Sequence, residues 1–198
     1  MSEIIVGVTG ASGSLCARDL MRGLLSVAEV TRIHTIISQF ARQTMHAELG
    51  TPEAAGEPEL RKALCPEGGR RVVFHDPANM AAAVSSGSYP TGGMVVVPCS
   101  MGTMGAIASG VSGNLIHRAA DVTLKERRPL VLALRETPLN RIHLRNMLAV
   151  SEAGAILFPL VPAFYARPSG MDQILEQYTA RILDQLRLPH HLGRRWGA

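Results

Sequence analysis

The sequence has 198 residues, of which 46% are hydrophobic and 18% are charged, and this composition predicts one domain, residues 1–198, with a sizeable core. Its net charge of +4 comes mainly from arginine, and since no basic run is interleaved with aromatic residues, we expect no nucleic-acid partner. No apolar run approaches the length of a transmembrane helix and the first residues lack a secretory signal pattern, so we expect a cytoplasmic chain outside the membrane.

Short apolar runs alternate with helical patterns along the chain. Six runs predict strands, at residues 4–8, 32–37, 71–74, 94–97, 130–134 and 155–160. The intervening segments predict helices, from a turn at 9–13 to about residue 26, then at 41–48, near 60, and at 104–109, 114–127, 140–152 and 171–186. Continuous apolar strands are typical of a parallel sheet covered on both faces. The predicted fold is a three-layer, doubly wound α/β domain of the Rossmann-like type.

Polar residues follow the predicted strands at the points where they end. Ser12 comes after the first strand, Ser38 after the second, Ser100 after the fourth, and Arg135 with Glu136 after the fifth. In doubly wound sheets, ligands bind beyond the carboxyl ends of the strands. We therefore expect a ligand site at this edge.

The turn Thr-Gly-Ala-Ser-Gly at residues 9–13 opens the first helix. Its glycines allow close backbone approach, and a helix N-terminus attracts an anion; the alternative is a tight turn in which Ser12 is the N-cap. The spacing is not that of a dinucleotide fingerprint, and Ser38 stands where such proteins carry an acid for the ribose. A mononucleotide such as FMN fits this serine-lined edge better than NAD does.

The segment 114–136 concentrates charge. Arg118 and Lys125 lie seven residues apart and so share one helix face, and the next strand ends in Arg135 and Glu136. These residues would suit a phosphorylated substrate, whereas the alternative is a solvated helix face. No acidic cluster offers a magnesium site, so we expect no metal and expect cations to meet the phosphate charge.

Other candidate residues are less specific. Residues 85–88, Ser-Ser-Gly-Ser, form either a flexible loop or a phosphate nest. Glu48 is by default a solvated helix residue. Cys16, Cys65 and Cys99 match no metal or redox spacing and are expected to be reduced; Cys99 lacks a supporting His or acid, which disfavours a nucleophile. The low charge fraction predicts apolar surface buried in a homo-oligomer.

These motifs together resemble the UbiX-type flavin prenyltransferases over nearly the whole chain. The similarity is strongest at residues 7–13, 37–38, 85–88, 97–100, 118–130, 135–136, 142–147 and 162–165. One departure is Met80, where some relatives carry a tryptophan and others an aliphatic residue.

The resemblance implies a reaction between reduced FMN and dimethylallyl phosphate. The central-ring nitrogen of the flavin attacks the allylic carbon, phosphate leaves, and a second bond closes a fourth ring. The product, prenylated FMN, goes to a UbiD-type decarboxylase. The resemblance further implies a metal-independent dodecamer with sites built from more than one subunit.

The resemblance also implies site residues. Flavin contacts are expected at Gly10, Ala11, Ser12, Ser38, Ser100, Met101, Gly102, Thr103, Arg118 and Arg135. Contacts to the allylic phosphate are expected at Ser86, Gly87, Lys125, Arg135, Tyr165 and Arg181. Catalytic roles are expected for Ser12, Glu48, Lys125 and Glu136. Two alternatives are a non-catalytic FMN-binding subunit of a decarboxylase and a direct aromatic-acid decarboxylase.

Overall fold

The computed structural model describes residues 2–197 and is built on a six-stranded parallel sheet with strand order β3-β2-β1-β4-β5-β6. The strands are β1 Ser2–Val8, β2 Val30–Ile37, β3 Val72–His75, β4 Gly93–Cys99, β5 Leu130–Leu134 and β6 Ile156–Pro159. The helices are α1 Ser14–Ser26, α2 Gln39–Leu49, α3 Glu57–Leu64, α4 Met101–Ala108, α5 Leu115–Lys125, α6 Arg141–Glu152 and α7 Met171–Gln185. The predicted α/β fold and all of its predicted strands are confirmed.

The sheet is covered on both faces, as its apolar strands predict. In β1, Ile4, Val6 and Val8 face one core, which α1, α3 and α7 cover. Ile5 faces the second core, which α4 and α5 cover. Side chains that alternate along a strand can fill both cores only when the sheet is sandwiched between helices, so the three-layer prediction is confirmed.

Element boundaries differ slightly from the prediction where side chains cap helices. The helix expected at 104–109 begins at Met101, because the Ser100 side chain accepts a hydrogen bond from the Thr103 N–H at 3.3 Å. A serine N-cap satisfies a backbone donor that the first helical turn leaves free. The strand before it correspondingly continues to Cys99.

Helix α6 is unlike the other long helices because its apolar residues face outward. Val150 is its one buried residue, whereas Ile142, Leu144 and Leu148 are 64%, 52% and 60% exposed. An apolar helix face that the chain itself leaves uncovered is typical of a surface buried between subunits. Within residues 2–197, no helix is long and apolar enough to span a bilayer.

Candidate active site

Three turns meet at the carboxyl edge of the sheet because β2, β1 and β4 are neighbours. The Thr9 hydroxyl donates to the Pro98 carbonyl at 2.7 Å and accepts from the Ser100 N–H at 2.8 Å. On the other side, the Ser38 N–H donates to the Val8 carbonyl at 2.9 Å. The sequence expectation that the turns carrying Ser12, Ser38 and Ser100 converge is confirmed, and these bonds fix their relative positions.

The two serines at this edge cap helices and retain hydrogen-bonding capacity. The Ser38 hydroxyl accepts from the Ala41 N–H at 3.2 Å, which leaves its own O–H free to donate. The Ser100 hydroxyl donates to the Thr103 hydroxyl oxygen at 3.2 Å, so the Thr103 O–H can donate onward. Both helix N-termini also favour negative charge at this edge.

The first turn of α4 supplies the two remaining flavin candidates of this edge. Met101 is buried in the core beneath the edge, while Gly102 is exposed with open space around its Cα. Gly102 can therefore present its backbone to a ligand, whereas the Met101 side chain packs inward.

The alternative in which Ser12 is the N-cap of α1 is wrong. Gly13 is the N-cap, with a φ of 127° that favours glycine. A glycine has no side chain with which to cap the helix. The Glu48 carboxylate instead accepts the Gly13 N–H at 3.1 Å and the Ser14 N–H at 2.7 Å. The default interpretation of Glu48 as a solvated helix residue is therefore also wrong: its carboxylate holds the anion position of α1.

The environment of Glu48 keeps it ionised at neutral pH. Burial alone would raise the pKa of the carboxyl group. Hydrogen bonds from the Ser12 hydroxyl and from the backbone N–H groups of Ser14 and Gly13 outweigh burial, so the pKa of Glu48 lies below its ordinary value. Ser12, Gly13 and Glu48 thus form one hydrogen-bonded group at the start of α1.

Gly10 is fixed by its closeness to α2. A Cβ at this position would lie 2.6 Å from the Cβ of Phe40, so a larger residue would push the turn and α2 apart. Phe40 itself is 69% exposed beside this turn. Phe40 was not among the residues predicted from the sequence. The available signal was an aromatic residue two positions after Ser38, where the second strand ends.

Arg118 and Lys125 both lie against residues 85–88, which we call the serine loop. The Arg118 Nε donates to the Ser85 carbonyl at 3.1 Å, and its Nη1 pairs with the Asp121 carboxylate at 2.7 Å. A Cβ on Gly87 would overlap the Lys125 Nζ, so this glycine allows the ammonium to approach the loop. The predicted shared helix face is confirmed.

The serine loop has features of an anion-binding nest. The Ser86 and Ser88 hydroxyls are 2.9 Å apart. Within residues 2–197, neither the Gly87 nor the Ser88 N–H donates to a backbone carbonyl. The Lys125 ammonium beside the loop is paired with the adjacent Glu126 carboxylate, and that hydrogen bond lowers the pKa of Glu126.

The remaining candidates are the predicted phosphate residues Arg135, Tyr165 and Arg181 and the predicted proton-transfer residue Glu136. Arg135 and Glu136 follow β5 and are exposed; the Glu136 Oε1 accepts the Thr137 N–H at 3.0 Å. Tyr165 and Arg181 line a cavity of about 300 Å³ under the C-terminal tail. Among the described residues, no hydrogen bond or ion pair links these four side chains to Lys125 or the serine loop.

The cysteines take no part in this site. All three are free and buried, and burial raises the pKa of Cys99 to about 12 and those of Cys16 and Cys65 to about 11. A thiol with such a pKa is not a thiolate nucleophile at neutral pH. Among residues 2–197, no cluster of three or more His, Cys, Asp or Glu side chains is arranged to hold a metal ion.

Known proteins share this whole architecture. Residues 1–183 match the Flavoprotein family. The flavin prenyltransferase UbiX of Salmonella typhimurium is 44% identical over 99% of this chain and 98% of its own. The crystal structure of AnUbiX (PadA1) in complex with FMN and dimethylallyl pyrophosphate has a TM-score of 0.87 and 41% identity, covering 100% of this chain and 98% of that one.

A second solved structure has the same fold and comes from Escherichia coli O157:H7. It is described as a dodecameric FMN-dependent UbiX-like decarboxylase, and it has a TM-score of 0.86 and 40% identity over 99% of this chain and 100% of its own. Identity above 40% over full length in both the sequence and the structure comparison leaves one conclusion. The chain belongs to the flavoprotein family and, within it, to the UbiX-type flavin prenyltransferases.

Proposed function

We propose that this protein joins a dimethylallyl group from dimethylallyl phosphate to reduced FMN, giving prenylated FMN and phosphate. The observation that carries this proposal is the position of Lys125 and the serine loop on the same chain as a preformed, hydroxyl-rich sheet edge. The edge suits a flavin mononucleotide, and the loop with its lysine suits a second, phosphorylated substrate.

The residues of the edge fit FMN. Gly10 has no side chain that would keep a ligand from the turn, and the Ser38 and Thr103 hydroxyls keep a hydrogen-bond donor each. We assign flavin contacts to the predicted set Gly10, Ala11, Ser12, Ser38, Ser100, Met101, Gly102, Thr103, Arg118 and Arg135. Because Glu48 fills the anion position of α1, FMN would meet this turn through residues 10–12 rather than through the first N–H groups of the helix.

FMN supplies the nucleophilic nitrogen, and the protein supplies charge for the leaving group. Lys125 would stabilise the departing phosphate as charge develops on it, an effect that typically contributes about 10²–10³ in rate for one well-placed donor. Its exposed pair with Glu126 contributes little, so a phosphate dianion can displace that carboxylate. Ser86 and Gly87 would bind the same phosphate through the serine loop.

Proton handling is assigned to two places. The Ser12 hydroxyl helps to lower the pKa of the ionised Glu48, so we assign this pair a role in holding or passing a proton at the flavin turn. Glu136, exposed after β5, is the second candidate, and its adjacent Arg135 would face the phosphate.

The complete site would need more than one copy of the chain. Within residues 2–197, Arg135, Tyr165 and Arg181 form no hydrogen bond with the serine loop, and α6 presents an exposed apolar face. We therefore propose a homo-oligomer, in line with the dodecamer described for the Escherichia coli relative. We also propose a UbiD-type decarboxylase as recipient of the product and a cytoplasmic location, which suits three free cysteines.

Anaerobic incubation with reduced FMN and dimethylallyl phosphate tests the function. We expect mass spectrometry of the released flavin to show FMN carrying one dimethylallyl unit, together with released inorganic phosphate. FMN that binds but stays unmodified would contradict the transferase and favour the FMN-binding accessory subunit. Carbon dioxide release from an aromatic acid by this chain alone would favour the direct decarboxylase.

A further inference from the structure

Arg128 contacts both the serine loop and the segment that follows it, although it belongs to no part of the predicted site. Its Nη2 donates to the Gly87 carbonyl at 2.8 Å and its Nη1 to the Tyr89 carbonyl at 2.8 Å. Nη1 also lies 3.3 Å from the Thr91 hydroxyl. One partly buried guanidinium thus holds two backbone carbonyls and one side-chain hydroxyl in and after the loop.

The end of α5 aims Arg128 at the loop. The Arg127 N–H donates to the Leu124 carbonyl and the Arg128 N–H to the Thr123 carbonyl, each at 2.9 Å. Arg127 adopts a left-handed conformation with φ of 55°, which turns the chain back after the helix. The Arg128 backbone is therefore fixed by the same helix that carries Lys125.

These bonds determine which groups of the loop remain available. The Gly87 carbonyl accepts from Arg128 and the Ser85 carbonyl accepts from Arg118, so both acceptors are already occupied by cations. The Gly87 and Ser88 N–H groups, in contrast, have no backbone acceptor within the described chain. A loop whose carbonyls are bound and whose N–H groups are free suits an anion.

A planar guanidinium is required for this arrangement. Its fork of N–H donors can reach two carbonyls at once from a fixed direction, whereas a lysine ammonium is a flexible point charge. The opposite anchor is the Tyr89 hydroxyl, which donates to the Glu3 carboxylate on β1. Arg128 and Tyr89 together fasten the segment that follows the serine loop to the sheet.

We propose that Arg128 is a positioning residue for the bound phosphate: it holds the Gly87 and Tyr89 carbonyls so that the serine loop presents its N–H groups beside Lys125. The proposal rests on the proposed function, in which this loop binds dimethylallyl phosphate. It assigns Arg128 no contact with either substrate.

Arg128→Lys tests the proposal, because it keeps the charge and removes the fork. We expect the KM for dimethylallyl phosphate, at saturating reduced FMN, to rise about 10- to 100-fold, the scale of a slightly misplaced binding group. The Kd for FMN should stay within about twofold, since no flavin residue is touched. Arg127→Lys is the matched control: this exposed neighbour has no side-chain hydrogen bond in the described residues, and both constants should be unchanged.

Hydrogen–deuterium exchange of residues 85–91 in the substrate-free protein gives a readout independent of turnover. We expect faster exchange in Arg128→Lys than in the wild type or Arg127→Lys. An unchanged KM with unchanged exchange would overturn the proposal, as would a parallel loss of FMN affinity and of protection throughout the chain.

If Arg128→Lys does not fold, Arg128→Gln, which keeps one amide donor, is subject to the same criteria. Absence of adduct in the wild type would refute the proposed function, while the exchange comparison would still decide the role of Arg128.

Discussion

The flavin edge and the phosphate side of the candidate site differ in how completely one chain builds them. At the flavin edge, hydrogen bonds through Thr9 and Ser100 join the turns after β1 and β4, and Glu48 secures the start of α1. On the phosphate side, Lys125 lies against the serine loop, but Arg135 is exposed and, within residues 2–197, forms no hydrogen bond with that loop. One chain therefore builds the turns to which we assign flavin binding, whereas we propose that transfer needs groups that arrive with the ligand or with another subunit.

The difference has a topological cause. Turns that follow neighbouring parallel strands lie at the same edge of the sheet. Because β2, β1 and β4 are neighbours, the strand order alone brings the turns of the flavin edge together. The segments carrying Tyr165 and Arg181 come after the last strand, β6, at the border of the sheet. Tyr165 and Arg181 are both exposed there, so a second copy of the chain can contribute at this border.

Gly87→Ala should damage the phosphate side most. The new Cβ would overlap the Lys125 Nζ and lie 2.9 Å from the Glu126 Cδ, so the ammonium must move away from the loop. We expect the KM for dimethylallyl phosphate to rise, or kcat to fall, by about 10- to 100-fold with FMN affinity retained. Gly170→Ala is the control, because a Cβ there meets nothing within 4 Å. Equal kinetics for both variants would mean that the contact between the loop and Lys125 is irrelevant to transfer.

Glu48→Gln should have a smaller effect, which is a loss of stability at the start of α1 beside the flavin edge. Charged acceptors make stronger hydrogen bonds to N–H groups than neutral ones, so we expect a loss of about 1–2 kcal/mol in the free energy of unfolding at neutral pH. Because the folded pKa lies below the ordinary 4.5, the stabilisation is present above that value and disappears as the pH falls through the folded pKa.

Urea unfolding of wild type and Glu48→Gln between about pH 7 and about pH 3 measures this contribution. The difference between the two proteins should shrink only at the acidic end. Glu53→Gln is the matched control, since Glu53 is exposed. A difference that stays constant down to the lowest pH would show that the Glu48 charge does not stabilise α1.

Alkylation of the cysteines should have the smallest effect. With thiol pKa values of about 11 to 12 and buried side chains, native Cys16, Cys65 and Cys99 should resist iodoacetamide at mildly alkaline pH, and prenylation should be unaffected. The urea-unfolded chain should react at all three. Mass spectrometry that finds Cys99 modified in the folded protein, with loss of activity, would revive the nucleophile hypothesis.

The fold was predictable because its signals are local. Continuous apolar runs indicate buried strands, and the predicted strand at 130–134 coincides with β5, Leu130–Leu134. Convergence at the sheet edge followed from the strand order of such folds, so Ser38 and Ser100 were placed correctly. Their assigned roles toward FMN come from the family resemblance and stay predictions.

The capping role of Glu48 and the clamp made by Arg128 could not be read from the sequence. Each depends on a contact between elements far apart in the chain: Glu48 on α2 reaches the start of α1, and Arg128 reaches back to Gly87. In sequence, Glu48 looks like a solvated helix residue and Arg128 like part of a charged run. Likewise, nothing local indicates that Tyr165 and Arg181 line a cavity under the C-terminal tail.

Lys125→Ala tests the division between the two sides most directly. FMN affinity and the yield of prenylated flavin should be measured on the same preparations, with Lys62→Ala as control because Lys62 is the other lysine and lies exposed on α3. We expect FMN to bind Lys125→Ala with a Kd within about twofold of the wild type, while the rate of adduct formation falls by about 10²–10³. Normal prenylation by Lys125→Ala, or loss of FMN binding together with prenylation, would contradict the account.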